Sequence, residues 1–265
     1  MQYTGERMIP EEASADTFWE HIYRYRFAAD YVKGKQVLDI ACGEGYGSAS
    51  LIKAGATSVL GVDISEEACR HARDKYGIQT KVGDAQNIPV PSASVDVVIS
   101  FETIEHVPEP ARFLDECVRI LRPGGVAVIS TPNKSAYQQL SPNNPYHCAE
   151  LTNDEFARLC EARFSQIRYY SQRPLKVPWW DLRGISAIDW APRKVRGMTR
   201  LSRFITRQCC GHLAEHETRR FRAAPLDALE LSEHSLSSFV DPYVVRPQTV
   251  TSRESDIYTI AVVSR

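Results

Sequence analysis

The sequence predicts an α/β fold, a mostly parallel sheet with helices on both faces, and three observations carry that prediction. Short apolar runs at 36–40, 58–62, 95–100 and 126–130 alternate with segments of helical composition. Strand and helix in alternation make a parallel sheet, because each crossover helix carries the chain back to the edge at which the preceding strand began. A glycine-rich turn, LDIACGEGYGS over 38–48, follows the first run. The intervening helices also carry legible start and stop signals.

Taken in order, the chain opens with an amphipathic helix. Phe18, Ile22, Tyr25, Ala29 and Val32 fall at alternating steps of four and three, behind the capping candidates Ser14, Asp16 and Thr17. Ser65 followed by Glu66 and Glu67 opens a later helix that Gly77 closes, and Arg122 to Gly125 stop another before the run at 126–130. Thr152, Asn153, Asp154 and Glu155 form a capping box. Phe164 to Tyr170 reads as a further strand and Ile257 to Val263, rich in β-branched residues, as a terminal one. Between these two, 172–254 holds Trp179, Trp180, Trp190 and many arginines without strand–helix alternation, which is the character of an inserted cap. The expected organisation is therefore a leading helix region at 1–33, a core at 34–171, a cap at 172–254 and a terminal core strand at 255–265.

Composition narrows the function classes. With 43% hydrophobic and 25% charged residues the chain has the balance of a soluble globular protein. A net charge of −1 argues against a global nucleic-acid footprint. Seven cysteines, an odd number with no C-x-x-C pair, favour reduced thiols over a disulfide framework or zinc site. No secretory h-region and no long uncharged apolar run is present, so the expected location is cytoplasmic.

A glycine loop after the first strand lets the backbone pass close to a ligand, and the helix beyond it offers N–H groups that lack intrahelical partners. The dinucleotide fingerprint G-x-G-x-x-G fails here, because Ser48 stands where its third glycine belongs. The spacing Gly43, Gly45, Gly47, with Asp39 ahead of it, instead resembles the first motif of class I S-adenosylmethionine-dependent methyltransferases. Four further stretches continue the resemblance: GVDIS, with Asp63 closing the second strand; Gly83-Asp84-Ala85, after the third; VDVVISFETIEHV, the fourth strand and its exit; and LRPGGVAVISTPN, the helix, turn and fifth strand.

The resemblance implies a Rossmann-like sheet of seven strands, the last antiparallel, with the cap inserted between the last two. It implies S-adenosylmethionine as cofactor, held by Asp39, Gly43, Gly45, Gly47, Asp63, Ile64, Asp84, Ala85, Ser100 and Phe101. Asp63 would accept the ribose hydroxyls, while Asp84 and Ala85 would meet the adenine edge. Ser100 and Phe101 belong to the methionine-side wall. Asp39 is expected to order the glycine loop through backbone N–H groups. The acceptor implied is small or lipid-linked, a hydroxyl or amine of a sugar in bacterial glycan or secondary metabolism, and no nucleic acid.

Removing a proton from an alcohol acceptor needs a base, and His106, just past the fourth strand, is the first candidate; His147 in NNPYH is the second. His21, Tyr23, Glu102 and Tyr146 are the expected substrate contacts, with the leading helix as a lid. Glu102, Glu105 and His106 stand at i, i+3 and i+4, which on a helical turn gathers them on one side. The same pattern resembles lipoquinone O-methyltransferases with a divalent metal there, but solvated carboxylates are the commoner case, and no metal is expected. A catalytically idle S-adenosylmethionine-binding protein is a further alternative. In the cap, Arg193, Arg196, Arg200, Arg203 and Arg207 make one helical stripe opposite Val195, Met198, Leu201 and Ile205. Two uses fit that shape: a solvated face of the cap, or peripheral contact with anionic lipid at the inner face of the membrane, with Trp179 and Trp180 as anchors.

Overall fold

The computed structural model describes residues 7–10, 13, 15–138, 144–172, 246–248 and 257–265. The leading helix α1 (Ala15–Val32) precedes β1 (Gln36–Ile40), α2 (Tyr46–Lys53), β2 (Ser58–Asp63), α3 (Glu66–Tyr76) and β3 (Gln79–Val82). The second half runs β4 (Val95–Phe101), α4 (Pro110–Ile120), β5 (Leu121–Pro132), α5 (Lys134–Tyr137), α6 (Asn153–Glu161), β6 (Gln166–Gln172), β7 (Arg246–Gln248) and β8 (Tyr258–Ser264).

The sheet order is β3-β2-β1-β4-β5-β8-β6-β7. The first five strands are mutually parallel, and β8 lies antiparallel between β5 and β6. The chain winds outward from β1 through β2 to β3, then returns to the other side of β1 as β4. That reversal opens a crevice at the carboxyl ends of β1 and β4, where open α/β sheets bind their ligands. The core is formed by the sheet's apolar residues, Leu38, Ile40, Val98, Ala127 and Ile129 among them, packed against Phe113, Leu114 and Ile120 of α4 and Phe156 of α6.

Capping follows the sequence closely. Ser65 accepts the Ala68 N–H at 3.2 Å and Gly77 ends α3 in the left-handed conformation. At α6 the Thr152 hydroxyl accepts from the Glu155 N–H while the Glu155 carboxylate takes the Thr152 N–H at 2.9 Å, closing both halves of the box.

Four expectations are corrected. Helix α1 starts at Ala15, so Asp16 and Thr17 lie inside its first turn and Ser14 falls outside the described residues. Its buried stripe takes Ala28 rather than Ala29, and Arg24 is buried with it, because the helix is wedged on two sides. Arg122 to Gly125 do not stop α4, which has already ended at Ile120. They form a bulge inside β5, where the pairing with β4 jumps from Val95↔Leu121 to Val97↔Val126. Finally, the seven strands expected are joined by an eighth, β7, on the outer edge of β6 and within the stretch read as the cap. The rest of that stretch, with the arginine stripe, Trp179 and Trp180, lies outside the described residues.

Candidate functional site

The glycine loop is built by three strand ends and α1. Gly45 caps α2 with φ 87°, a region that glycine enters without the Cβ penalty, and a Cβ there would meet that of Ala72 at 2.5 Å. Gly47 serves a different need: a Cβ on it would overlap the ring of Tyr25. That ring stands edge-on to Phe101 at 5.1 Å and to Tyr46 at 5.8 Å. Tyr25 thus locks α1 to the loop.

Asp39 is fully buried and does not bind the loop's backbone as expected. Its carboxylate accepts the Ser48 hydroxyl at 2.6 Å and the Tyr25 hydroxyl at 3.2 Å, since α2 and α1 bring those groups closer than the loop's N–H groups. The loop N–H of Gly43 goes instead to Asp63 Oδ2 at 2.8 Å, while Asp63 Oδ1 takes the Ser65 N–H at 2.9 Å. Arg7 Nη2 lies 3.8 Å from the same carboxylate. Beside Asp63, Ile64 is 76% exposed and Val82, the partner of Asp63 across the strand pair, 49%, so two apolar side chains stand uncovered at the carboxyl ends of β2 and β3. Asp84 caps its own turn, accepting the Gln86 N–H at 2.8 Å on Oδ1, with Ala85 half-buried beside it. Ser100 is buried and its hydroxyl has no hydrogen-bond partner.

Burial pushes the Asp39 carboxyl up to about 7, against the two hydroxyls that hold it down. Its folded value thus lies above the ordinary ~3.9, so its contribution to stability is complete below about pH 4 and is lost as pH rises through about 7. Asp39→Asn is expected to flatten this dependence, which is on the order of 4 kcal/mol across the window. Urea midpoints at pH 4.5 and 7.5 check it; equal pH slopes in both proteins would refute it.

At the exit of β4, Glu102 adopts φ 52°. It therefore sits outside the 3₁₀ turn Ile104–His106, and the helical spacing with Glu105 and His106 is broken. Ser130 donates to its Oε1 at 2.6 Å, and Arg24 Nη1 lies 4.0 Å from the same oxygen. Glu105, 1% exposed, receives the Thr131 hydroxyl on Oε2 at 3.3 Å and leaves Oε1 without a hydrogen bond, 3.8 Å from His106 Nε2. Burial, and then the Glu102 charge, drives the Glu105 carboxyl well above the usual range.

His106 and His147 come together, ring centroids 4.9 Å apart and nearly perpendicular. The loop bearing His147 is pinned to the turn by the Cys148 and Ala149 N–H groups, which both donate to the Glu105 carbonyl. One ligand atom each from Glu105, His106 and His147 lie within 4.8 Å of one another, so the metal-competent set includes His147 and not Glu102. Tyr146 is exposed and meets His106 through its carbonyl, 3.0 Å from Nδ1. On α1, His21 Nδ1 lies 2.9 Å from the Tyr46 hydroxyl, and burial, then the Arg24 charge, lowers its pKa well below the ordinary value. Tyr23 is half-buried on the same helix.

Several participants escape sequence reasoning. Arg24 donates to Gln172 Oε1 at 2.8 Å, lies over the Tyr258 ring at 4.6 Å, and Tyr258 in turn donates to Glu20 at 3.0 Å. Glu150 sits 3.1 Å from His147 Nδ1. Only the i, i+3 spacing of His147 and Glu150 was a readable signal.

Fold order, switch-point crevice, glycine loop and a carboxylate closing β2 are the features of a protein that binds a nucleotide cofactor. Residues 38–129 match the family model described as a methyltransferase domain. A probable S-adenosylmethionine-dependent methyltransferase of Mycolicibacterium smegmatis is 42% identical over 163 residues, 60% of this chain and 63% of that one. The phthiotriol/phenolphthiotriol dimycocerosates methyltransferase of Mycobacterium leprae is 32% identical over 211 residues, 77% of this chain and 71% of that one. Among solved structures, a SAM-dependent methyltransferase of Thermotoga maritima, described as a possible histamine N-methyltransferase, aligns with a TM-score of 0.55. It covers 94% of this chain and 93% of its own at 17% identity, a likeness of fold alone. This chain belongs to the class I S-adenosylmethionine-dependent methyltransferases. It spans 63% of the M. smegmatis relative's length and 58% of a Mycobacterium tuberculosis one.

Proposed function

We propose that the chain transfers a methyl group from S-adenosylmethionine to a hydroxyl or amine of a small or lipid-linked acceptor, with a sugar of bacterial glycan or secondary metabolism as the acceptor class. The observation that carries this is the pair of facing imidazoles, His106 and His147, at the exit of β4 beside the crevice. A protein that only bound the cofactor would have no use for paired proton acceptors there. The residues present suit the cofactor: the Asp63 carboxylate closes β2 beside the glycine loop, tied to it through the Gly43 N–H, and the exposed Ile64 and Val82 near it offer apolar surface for a purine. The cofactor supplies an electrophilic methyl group on a sulfonium. The chain's part is to hold acceptor and methyl in attack geometry, worth up to ~7–11 kcal/mol, and to receive the acceptor's proton.

The relative from M. leprae is named for phthiotriol and phenolphthiotriol dimycocerosates, and the five arginines between 193 and 207 in the sequence would suit a lipid-linked acceptor held at the inner face of the membrane. No helix among the described residues is long and apolar enough to cross one. A second reading rests on the Glu105, His106 and His147 grouping, which could hold a divalent cation to polarise the acceptor oxygen.

The test is labelled S-adenosylmethionine offered with nucleotide sugars, lipid-linked glycans and long-chain alcohols, with and without excess chelator. Transfer to a sugar-bearing acceptor supports the proposal, and loss of activity in chelator favours the cation. Calorimetry should give S-adenosylmethionine binding that Asp63→Ala weakens by ~1.5–3 kcal/mol for each charge-assisted hydrogen bond lost. Binding of NAD with none of S-adenosylmethionine would end this reading.

A further inference from the structure

We propose that Arg7 sets the specificity for the cofactor's amino-acid end: it yields the Asp63 carboxylate to the ribose hydroxyls and takes the cofactor's own carboxylate in exchange, an assignment that rests on the ribose role expected of Asp63. Each oxygen of Asp63 is already tied to a backbone N–H, Oδ2 to Gly43 at 2.8 Å and Oδ1 to Ser65 at 2.9 Å. A carboxylate has about four lone-pair sites, so each oxygen can still accept one hydroxyl of a ribose diol. Arg7 Nη2 stands 3.8 Å from Oδ1.

That contact is weak and well placed. At 3.8 Å it exceeds hydrogen-bond length, and the Arg7 side chain is 29% exposed, so water screens the pair and breaking it costs little. The Asp63 side chain is only 7% exposed, so a ribose that reaches it has to move a neighbour aside. Arg7 is the more exposed member of the pair and the one that yields.

Having yielded, Arg7 stays beside the crevice. Met8 and Ile9, next along the chain, are buried, and the Ile9 carbonyl accepts the Ala13 N–H at 2.8 Å, so the backbone behind Arg7 is anchored. Its methylenes lie along the glycine loop, where a Cβ on Gly43 would meet Arg7 Cγ and Cδ at 3.7 Å. The displaced guanidinium is therefore a positive charge confined next to that loop. S-adenosylmethionine carries a single anionic group, its carboxylate, and a planar guanidinium fork matches a carboxylate through two parallel hydrogen bonds. Arg24, the buried arginine of α1, is already set beside Glu102 and Glu20 and donates to Gln172 Oε1 at 2.8 Å. A ligand with a carboxylate thus replaces the ion pair it breaks, whereas a nucleoside without one leaves that pair unreplaced.

Calorimetry on the full chain tests this without turnover, using S-adenosylhomocysteine and its decarboxylated analogue S-adenosyl-3-thiopropylamine, which lacks only the carboxylate. Arg7→Met keeps the side chain's length over Gly43 and removes the charge. It should raise the Kd for S-adenosylhomocysteine about tenfold or more, as for loss of one charge-assisted hydrogen bond. The Kd for the analogue should stay within about threefold, the worth of one screened ion pair. Arg7→Lys, which keeps the charge without the fork, should fall between, and is the informative variant if Arg7→Met does not fold. Added salt should weaken S-adenosylhomocysteine binding more in the wild type than in Arg7→Met. Equal losses for the two ligands, or unchanged binding of both, overturn the exchange. Tighter binding of both overturns it as well, by showing Arg7 to be only a competitor for Asp63. Asp63→Asn should weaken both ligands alike; weakening of neither would strike the ribose role, and the exchange with it, whatever the Arg7 comparison shows.

Discussion

Arg24→Leu is expected to destabilise the protein by about 3–5 kcal/mol, the range for removing one partner of a buried charge pair. Arg24 has no exposed surface, and its guanidinium is the positive charge set between Glu102 Oε1 at 4.0 Å and the buried Glu20. It also fixes α1 to the far half of the sheet through Gln172 on β6 and the Tyr258 ring on β8. Leucine fills part of the volume but takes the shared cation away from both carboxylates and strands the Gln172 side-chain oxygen. Lysine should not rescue it, since an ammonium can neither stack on Tyr258 nor fork toward two acceptors. Urea denaturation gives the measurement, and pairing the change with Glu102→Gln should recover part of the loss, because the two groups interact. A midpoint within 1 kcal/mol of wild type, as an approximate bound on ordinary surface substitutions, would mean the charge is not what holds α1.

The same residue shows where sequence reasoning stopped. An arginine inside an amphipathic helix reads as solvated, since charged residues are almost never fully buried without a partner. Its partners come from the residue just past β4, from β6 and from β8, as far along the chain as Tyr258. Local signals fared better: Ser65, Gly77 and the box at Thr152 are complete within a few residues, and the structure realises each of them. The strand β3 is the reverse case. It is an exposed edge with little apolar signal in QTKV, placed by the resemblance rather than by periodicity. The glycine loop was legible because backbone conformation demands glycine at Gly45, whereas the reason for Gly47, the ring of Tyr25, belongs to another helix. Likewise the Glu102, Glu105 and His106 spacing presumed a helix that begins two residues too late, at Ile104. Once that turn is shortened, Glu102 joins Arg24 and His147 takes its place beside His106.

His147→Ala is expected to lower turnover by about 10²–10⁴-fold, the usual worth of a positioned general base, with S-adenosylmethionine affinity nearly unchanged. The imidazole lies on the loop at 144–150, hydrogen-bonded to the turn after β4 and not to the glycine loop, so its loss should leave the cofactor end of the crevice intact. An oxygen acceptor should suffer most, because an alcohol must lose its proton as the new bond forms, whereas a neutral amine attacks through a lone pair and can release its proton afterwards. His106→Ala, which removes the imidazole whose Nε2 lies 3.8 Å from Glu105 Oε1, should instead act mainly on the acceptor's KM if that ring only orients the acceptor. Measuring kcat and KM for both variants against one oxygen acceptor and one amine acceptor separates these roles. Full activity of His147→Ala would move the base to His106, and equal losses for both acceptor types would show that the pair shapes the pocket without taking the proton.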